Sequence, residues 1–247
     1  MTKEVCFIRL SPENFMLETT TVWSFTDRGS WATHTGQYRG NWSPYIPRNL
    51  ILLYTKPGDW ILDQFVGSGT TLVEAKLLGR NAIGVDINPQ SVQLTKSNLN
   101  FTCSTKSIIH VVNGSAMNLE FIEDGRMDFV CTHPPYANII KYSNGIAEDI
   151  SLLDVNEFVE KMKVVARESF RVLKRGKMCT VMMGDTRRQG KVVPLGFRVM
   201  ECFIQAGFTL KEIIIKEQHN CTSTAYWKNV KKNFLMIAHE YIFVFVK

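Results

Sequence analysis

Apolar positions along this chain recur at two different periods, and the switches between them predict its elements. Trp60, Ile61 and Leu62, just after the turn signal Pro57-Gly58-Asp59, read as a buried strand at 60–63. From Thr70 the spacing becomes helical, with Leu72, Ala75 and Lys76 at repeating positions and Gly79 as the stop. A strand at 82–87, a helix at 90–99 and a strand at 108–112 follow, then an apolar strand at 127–132 that runs into two prolines. Residues 137–150 show no period and read as a loop. The clearest amphipathic stretch is 154–173, with Phe158, Met162, Val165 and Val172 along one side, closed by the cations and glycine of Lys174-Arg175-Gly176. A strand at 178–183 and a helix at 194–205 come next. The β-branched runs at 210–215 and 235–246 have no crossover helix between them, so they are expected to pair antiparallel.

Strands alternating with helices and finishing in such a pair imply an α/β fold: a doubly wound, mostly parallel seven-stranded sheet with a closing antiparallel strand. The 247 residues suffice for one domain with its own core, and no linker or repeat interrupts them. Residues 1–58 are irregular apart from a short helix expected at 47–54. Trp23, Trp31 and Trp42 are too costly to leave in water, so this segment is expected to pack on the main body.

Composition narrows the setting. Six cysteines without a CxxC pair or metal-ligand spacing read as reduced thiols, with no metal and a cytoplasmic location expected. No apolar run reaches the roughly 18 residues needed to span a bilayer, and no secretory signal is evident, so no membrane is expected. The formal charge of +6 permits a polyanionic partner without demanding one.

Two stretches carry chemistry. Asp63-Gln64-Phe65-Val66-Gly67-Ser68-Gly69-Thr70-Thr71 is a strand end, a glycine turn and a helix start, where N–H groups suit an anion. Position 72 is Leu, so the dinucleotide fingerprint lacks its third glycine, and the lysine of a phosphate loop is absent too. Asp86 ends the next strand and is either a ribose acceptor or a cap for the following helix. Thr132-His133-Pro134-Pro135-Tyr136 forms a stiff corner at a strand end, either a structural turn or a grip for a flat, amine-bearing group.

Together with Gly84-Val85-Asp86-Ile87-Asn88-Pro89, these strings resemble the S-adenosylmethionine-dependent DNA amino-methyltransferases, which act on adenine N6 or cytosine N4. The resemblance extends to Ser43-Pro44-Tyr45-Ile46-Pro47, similar to the family's segment closing the cofactor pocket, and to His239-Glu240-Tyr241-Ile242, similar to its last core strand. It implies a sheet of the class I methyltransferase type, with residues 1–58 over the cofactor site. S-adenosylmethionine is implied as cofactor, met by Ile46, Pro47, Asp63, Phe65, Gly67, Ser68, Gly69, Thr70, Thr71, Asp86, Ile87 and Ser115. His133, Pro134, Pro135 and Tyr136 are the implied catalytic corner: acceptors at position 133 and at the Pro134 carbonyl for the amine, and Tyr136 to stack on a base flipped out of duplex DNA.

Two departures stand out. The family usually has Asp, Asn or Ser where this chain has His133, and a neutral imidazole accepts a hydrogen bond while an imidazolium does not. Methyl transfer is therefore expected to fall as His133 protonates, unless His133 is only structural. Ser115 stands where relatives often carry an acidic residue. Double-stranded DNA is the implied partner. Its candidate contacts are Arg187, Arg188 and Lys191 in loop 186–193, and Tyr226, Trp227, Lys228, Lys231 and Lys232 in loop 216–234; solvated charge is the alternative. With so short a recognition surface, a homodimer is one way to extend it. Other readings are methylation of RNA or of a protein glutamine, or a nucleic-acid-binding relative without catalysis.

Overall fold

The structure, a computed structural model, describes residues 9–219 and 234–247. In chain order the elements are β1 (Val22–Trp23), α1 (Tyr45–Tyr54), β2 (Trp60–Asp63), α2 (Thr70–Leu77), β3 (Asn81–Asp86), α3 (Pro89–Asn98), β4 (Ile109–Asn113), β5 (Met127–Thr132), α4 (Val155–Val172), β6 (Leu173–Met183), β7 (Thr186–Arg188), β8 (Lys191–Val193), α5 (Leu195–Gln205), β9 (Thr209–Glu217) and β10 (His239–Val246). The main sheet runs β1-β9-β10-β6-β5-β2-β3-β4. Strands β4, β3, β2, β5 and β6 are parallel, and β10 is antiparallel to both neighbours, as the missing crossover helix requires. Strand order reverses between β2 and β5, and there the glycine turn and the Pro-Pro corner leave the sheet side by side.

Both faces of the sheet are covered, and β10 shows how. Ile242 and Val244 enter the core under α1 and α2, while Phe243 and Phe245 alternate to the core under α4 and α5. Each such side chain contributes roughly 1.5 to 3 kcal/mol by leaving water. Helix α4 begins at Asp154, whose carboxylate accepts from the N–H groups of Asn156 and Glu157 in a capping box. Leu72 packs on Gly84 of β3, where an added Cβ would fall 2.6 Å from Leu72 Cδ2. Space made in a dinucleotide site by a glycine on the helix is made here by a glycine on the neighbouring strand.

Three expectations are corrected. Lys174-Arg175-Gly176 does not close α4: the helix stops at Val172, Leu173 is already extended, and the three residues lie within β6. The last α4 carbonyls are met from elsewhere, by Lys247 Nζ, which donates to Phe170, Arg171 and Leu173 O. The sheet has eight strands rather than seven, because the short β1 pairs with β9, Val22 opposite Ile215. Residues 186–193, expected as an open loop, form the β7–β8 hairpin.

Trp23, Trp31 and Trp42 are all buried. Trp31 belongs to a buried cluster on α2, where Glu74 Oε1 accepts from Trp31 Nε1 and His34 Nε2, both at 2.7 Å, and Oε2 accepts from Arg48 Nη1 at 2.8 Å. No helix among the described residues is long and apolar enough to cross a membrane.

Candidate active site

At the switch point opens a cleft enclosing about 780 Å³, its mouth included. Asp63, Phe65, Gly67, Ser68, Thr70, Asp86, Ile87, Ser115, His133 and Pro135 line it. Ile46 and Pro47 do not: α1 turns them into the core beside Trp23 and Leu50, and Trp42, Asn41 and Tyr38 face the cleft from the N-terminal segment instead. Gly69 and Thr71 stand behind the wall. Gly69 takes φ +86 as the cap of α2, and a Cβ there would fall 2.8 Å from Thr95 Cγ2.

The glycine turn is not simply a cradle of free N–H groups. Gly67 N donates to Asp86 Oδ2 at 2.9 Å and Gly69 N to Val66 O at 2.7 Å, so the open donors are those of Ser68 and the first turn of α2. Asp86 resolves its two readings in an unforeseen way. Its Oδ1 accepts from Asn88 N, but the cap of α3 is Asn88, whose Oδ1 accepts from Gln90 N. Asp86 thus braces the glycine turn and keeps lone pairs for a ligand.

Asp63 ends β2 with Thr132 Oγ1 donating to Oδ1 at 2.9 Å and Thr71 Oγ1 to Oδ2 at 2.5 Å. Burial pushes its carboxyl up to about 6 despite these donors, and burial raises Asp86 as well. Glu148 and Asp149 add two more carboxylates, and among the described residues no Lys or Arg lines the cleft. Such a lining suits a cation. Tyr142 closes the other side: its ring stacks on Tyr38, centroids 6.0 Å apart, and its carbonyl accepts from Asn88 Nδ2 at 2.7 Å.

At the Pro-Pro corner, Tyr136 stands beside the cleft rather than in its lining. Its hydroxyl donates to Glu240 Oε1 at 2.8 Å and lies 2.9 Å from His133 Nε2, and Gly184 packs on its ring. Lys216 Nζ reaches Glu240 Oε2 at 3.2 Å. The His133 ring stacks on Trp42, centroids 5.4 Å apart, and burial drives the imidazole down to about 4. Pro134 is buried behind it.

Arg187, Arg188 and Lys191 lie on the β7–β8 hairpin, but two of them are engaged. Arg187 donates to Gly190 and Leu235 carbonyls, and Arg188 Nη2 holds Asn138 Oδ1 just beyond the corner. Lys191 is exposed. Tyr226, Trp227, Lys228, Lys231 and Lys232 lie outside the described residues. Tyr142, Glu148 and Asp149 went unread in the sequence, and Glu240 was read only as part of the last core strand. A signal existed for Glu240, a lone carboxylate opening the apolar run Tyr241-Ile242-Phe243-Val244.

Known proteins resemble this chain in sequence and in fold. A family model described as DNA methylase (N6_N4_Mtase) covers residues 6–97 and 127–247, most of the chain. A tRNA (guanine(10)-N2)-dimethyltransferase of Methanothermobacter thermautotrophicus is 37% identical over 100 residues, 40% of this chain and 29% of that one. The type II methyltransferase M2.LlaDCHI of Lactococcus lactis subsp. cremoris is 52% identical over 56 residues, 23% of this chain and 21% of its own. The matches thus span less than a third of these relatives' lengths. Among solved structures, an S-adenosylmethionine-dependent methyltransferase of Methanosarcina mazei has a TM-score of 0.53 at 17% identity, over 80% of this chain and 96% of that one. A Pyrococcus furiosus methyltransferase has 0.54 at 13%, over 86% of each. At such identities the likeness is one of fold. With the family model matched across both halves of the site, the chain belongs to the N6/N4 DNA methylase family.

Proposed function

We propose that this chain is an S-adenosylmethionine-dependent methyltransferase acting on an exocyclic amine, cytosine N4 or adenine N6, of a base flipped out of a short specific site in duplex DNA. The observation carrying the reading is that the acidic cleft and the Pro-Pro corner share walls, with His133 and Pro135 lining the space that Asp63 and Asp86 also enclose. The cleft's carboxylates without countercharges fit a cationic ligand. When bound, S-adenosylmethionine supplies an electrophilic methyl group on a sulfonium.

The chain's own residues do the rest. Asp86 accepts from ribose hydroxyls, Ser68 and the start of α2 donate to a carboxylate, and Ile87 and Met117 give apolar walls. A base amine is a weak nucleophile because its lone pair is shared with the ring. His133 and the Pro134 carbonyl accept from its N–H groups and hold that lone pair in line. The accessible part of the Tyr136 ring stacks on the extruded base, a contact worth roughly 1 to 3 kcal/mol. Lys191 contacts phosphate. A second reading, an amine of RNA, draws on the tRNA methyltransferase match.

Incubation with methyl-labelled cofactor and, in parallel, duplex DNA, tRNA and protein tests the proposal. Label in DNA is the expected result; label only in tRNA or protein moves the substrate, and no label anywhere overturns the reading. Cofactor affinity has its own pH signature. A cation in the cleft favours ionised Asp63, so the dissociation constant is expected to rise as pH falls through about 6, by up to about tenfold per unit below it. Calorimetric titrations between pH 5 and 8 read this directly; a flat profile would remove Asp63 from cation binding.

A further inference from the structure

We infer that Glu240, acting through Tyr136, is a positioning residue that holds His133 in the tautomer whose Nδ1 bears the lone pair, so that the corner presents a fixed acceptor to the substrate amine. The inference rests on the reading of the corner as an amine site.

The direction of each hydrogen bond follows from what each group has to offer. Glu240 sits in β10, flanked by β6 and β9, and is 8% exposed. A carboxylate there must be paired, and it is, by the Tyr136 hydroxyl on Oε1 and Lys216 Nζ on Oε2. An ionised carboxylate only accepts, so the single phenol proton of Tyr136 points at Glu240. His133 Nε2 lies 2.9 Å from that same phenol oxygen. With the phenol proton committed, this contact is a hydrogen bond only if Nε2 carries hydrogen and donates. A neutral imidazole with hydrogen on Nε2 has its lone pair on Nδ1.

Nδ1 is the atom left for a ligand. It has no hydrogen-bond partner among the described residues, it is not among the sealed polar atoms, and His133 lines the cleft. A half-turn about Cβ–Cγ would set Cε1 where Nε2 meets the Tyr136 hydroxyl and forfeit that hydrogen bond, while Trp42 on the ring's face and Tyr136 at its edge hold the ring in this plane. The charged groups facing it are Glu240 from β10 and Lys216 from β9, and their effects oppose, Glu240 favouring the imidazolium and Lys216 disfavouring it. Trp42, from the N-terminal segment, and Tyr136 bring no charge. Burial, the largest effect, keeps the histidine neutral, and Lys216 adds to it against the pull of Glu240.

The arrangement selects substrates by hydrogen-bond sense. A lone pair at Nδ1 matches an amino group, as on adenine N6 or cytosine N4, and opposes a carbonyl oxygen, as on thymine O4 or guanine O6. The usual Asp or Asn of the family accepts through oxygen with no need of such a relay, and a histidine does need it, because only one of its two tautomers serves.

The test is the nitrogen spectrum of the full chain labelled with ¹⁵N-histidine at pH 7, with His133 assigned by the signals lost in His133→Asn. The wild type is expected to show protonated Nε2 and unprotonated Nδ1. In Glu240→Gln the amide can donate as well as accept, and in Tyr136→Phe the phenol is gone, so both variants are expected to show a mixture of tautomers. Single-turnover methyl transfer in Glu240→Gln is expected to fall at least about tenfold, with the cofactor dissociation constant within about twofold of wild type. A wild-type spectrum with hydrogen on Nδ1, an imidazolium at pH 7, or unchanged tautomers in both variants would overturn the inference. Backbone amide spectra check folding, and if Tyr136→Phe fails to fold, Glu240→Gln alone decides. Because the nitrogen spectrum needs no substrate, a failed relay and a wrong substrate give different results.

Discussion

Glu74→Ala is expected to destabilise the protein by about 3 to 5 kcal/mol, the usual cost of breaking a buried ion pair from one side. The carboxylate is fully buried on α2 and serves three donors, from Trp31, His34 and Arg48. Removing it leaves the Trp31 and His34 ring N–H groups without this acceptor and Arg48, whose side chain is only 12% exposed, without a countercharge. For a chain of this size that loss corresponds to a fall of about 10 °C in melting temperature. Glu74→Gln keeps an acceptor for the two rings and is expected to cost less. Denaturant unfolding of both variants measures the difference; a loss below about 1 kcal/mol in Glu74→Ala would show that the N-terminal segment is held by its tryptophans alone. The same variant is expected to weaken cofactor binding, since Trp31 and His34 lead directly to Tyr38, Asn41 and Trp42 at the cleft wall.

That cluster also shows what sequence reading reaches and what it does not. The glycine turn and the Pro-Pro corner were legible because their chemistry is local: a positive φ needs glycine, and two prolines stop a strand. The antiparallel pairing of the last two strands followed from the lack of room for a crossover helix between them. Nothing within α2 announces that Trp31, 43 residues away, will donate to Glu74. Glu240 likewise joins Tyr136 across 104 residues. The acidic lining from Glu148 and Asp149 comes from a segment without period, and pattern arguments have no purchase there. Lys174-Arg175-Gly176 misled because the signal for a helix end was real but its place was taken by Lys247, which arrives from the far end of the chain. In each case the missing information is a long-range contact that decides between two locally acceptable structures.

His133→Ala is expected to lower single-turnover methyl transfer by about 10² or more while leaving the cofactor dissociation constant within about threefold, because the lost acceptor acts on the amine and not on the cofactor. His133→Asn, which restores an oxygen acceptor, is expected to recover part of that loss; equal rates in both variants would reduce His133 to a structural residue. The pH profile carries a second check. An ordinary imidazole would lose its acceptor near pH 6.5, but burial holds this one down to about 4, so at saturating cofactor the rate is expected to stay level from about pH 8 to 5.5 and to fall only on approach to 4. Saturation matters because Asp63, pushed up to about 6, weakens cofactor binding in the same window, and only the bound state separates the two. Folding stability follows the opposite face of the same shift. The folded imidazole titrates below the unfolded one, so its contribution is complete above about pH 6.5 and is lost as pH falls towards 4, where the unfolded chain has already bound its proton. Asp63 works against this, because its folded carboxyl binds a proton from about 6 downward, before the unfolded one near 3.8, which favours the folded state as pH falls. Replacing His133 by Asn should therefore leave Asp63's contribution alone, and stability measured from pH 7 to 4 is expected to rise in the variant relative to wild type as acid is added. A constant difference between the two across that range would place the His133 imidazole at an ordinary pKa, and with it remove the level rate profile that the buried acceptor requires.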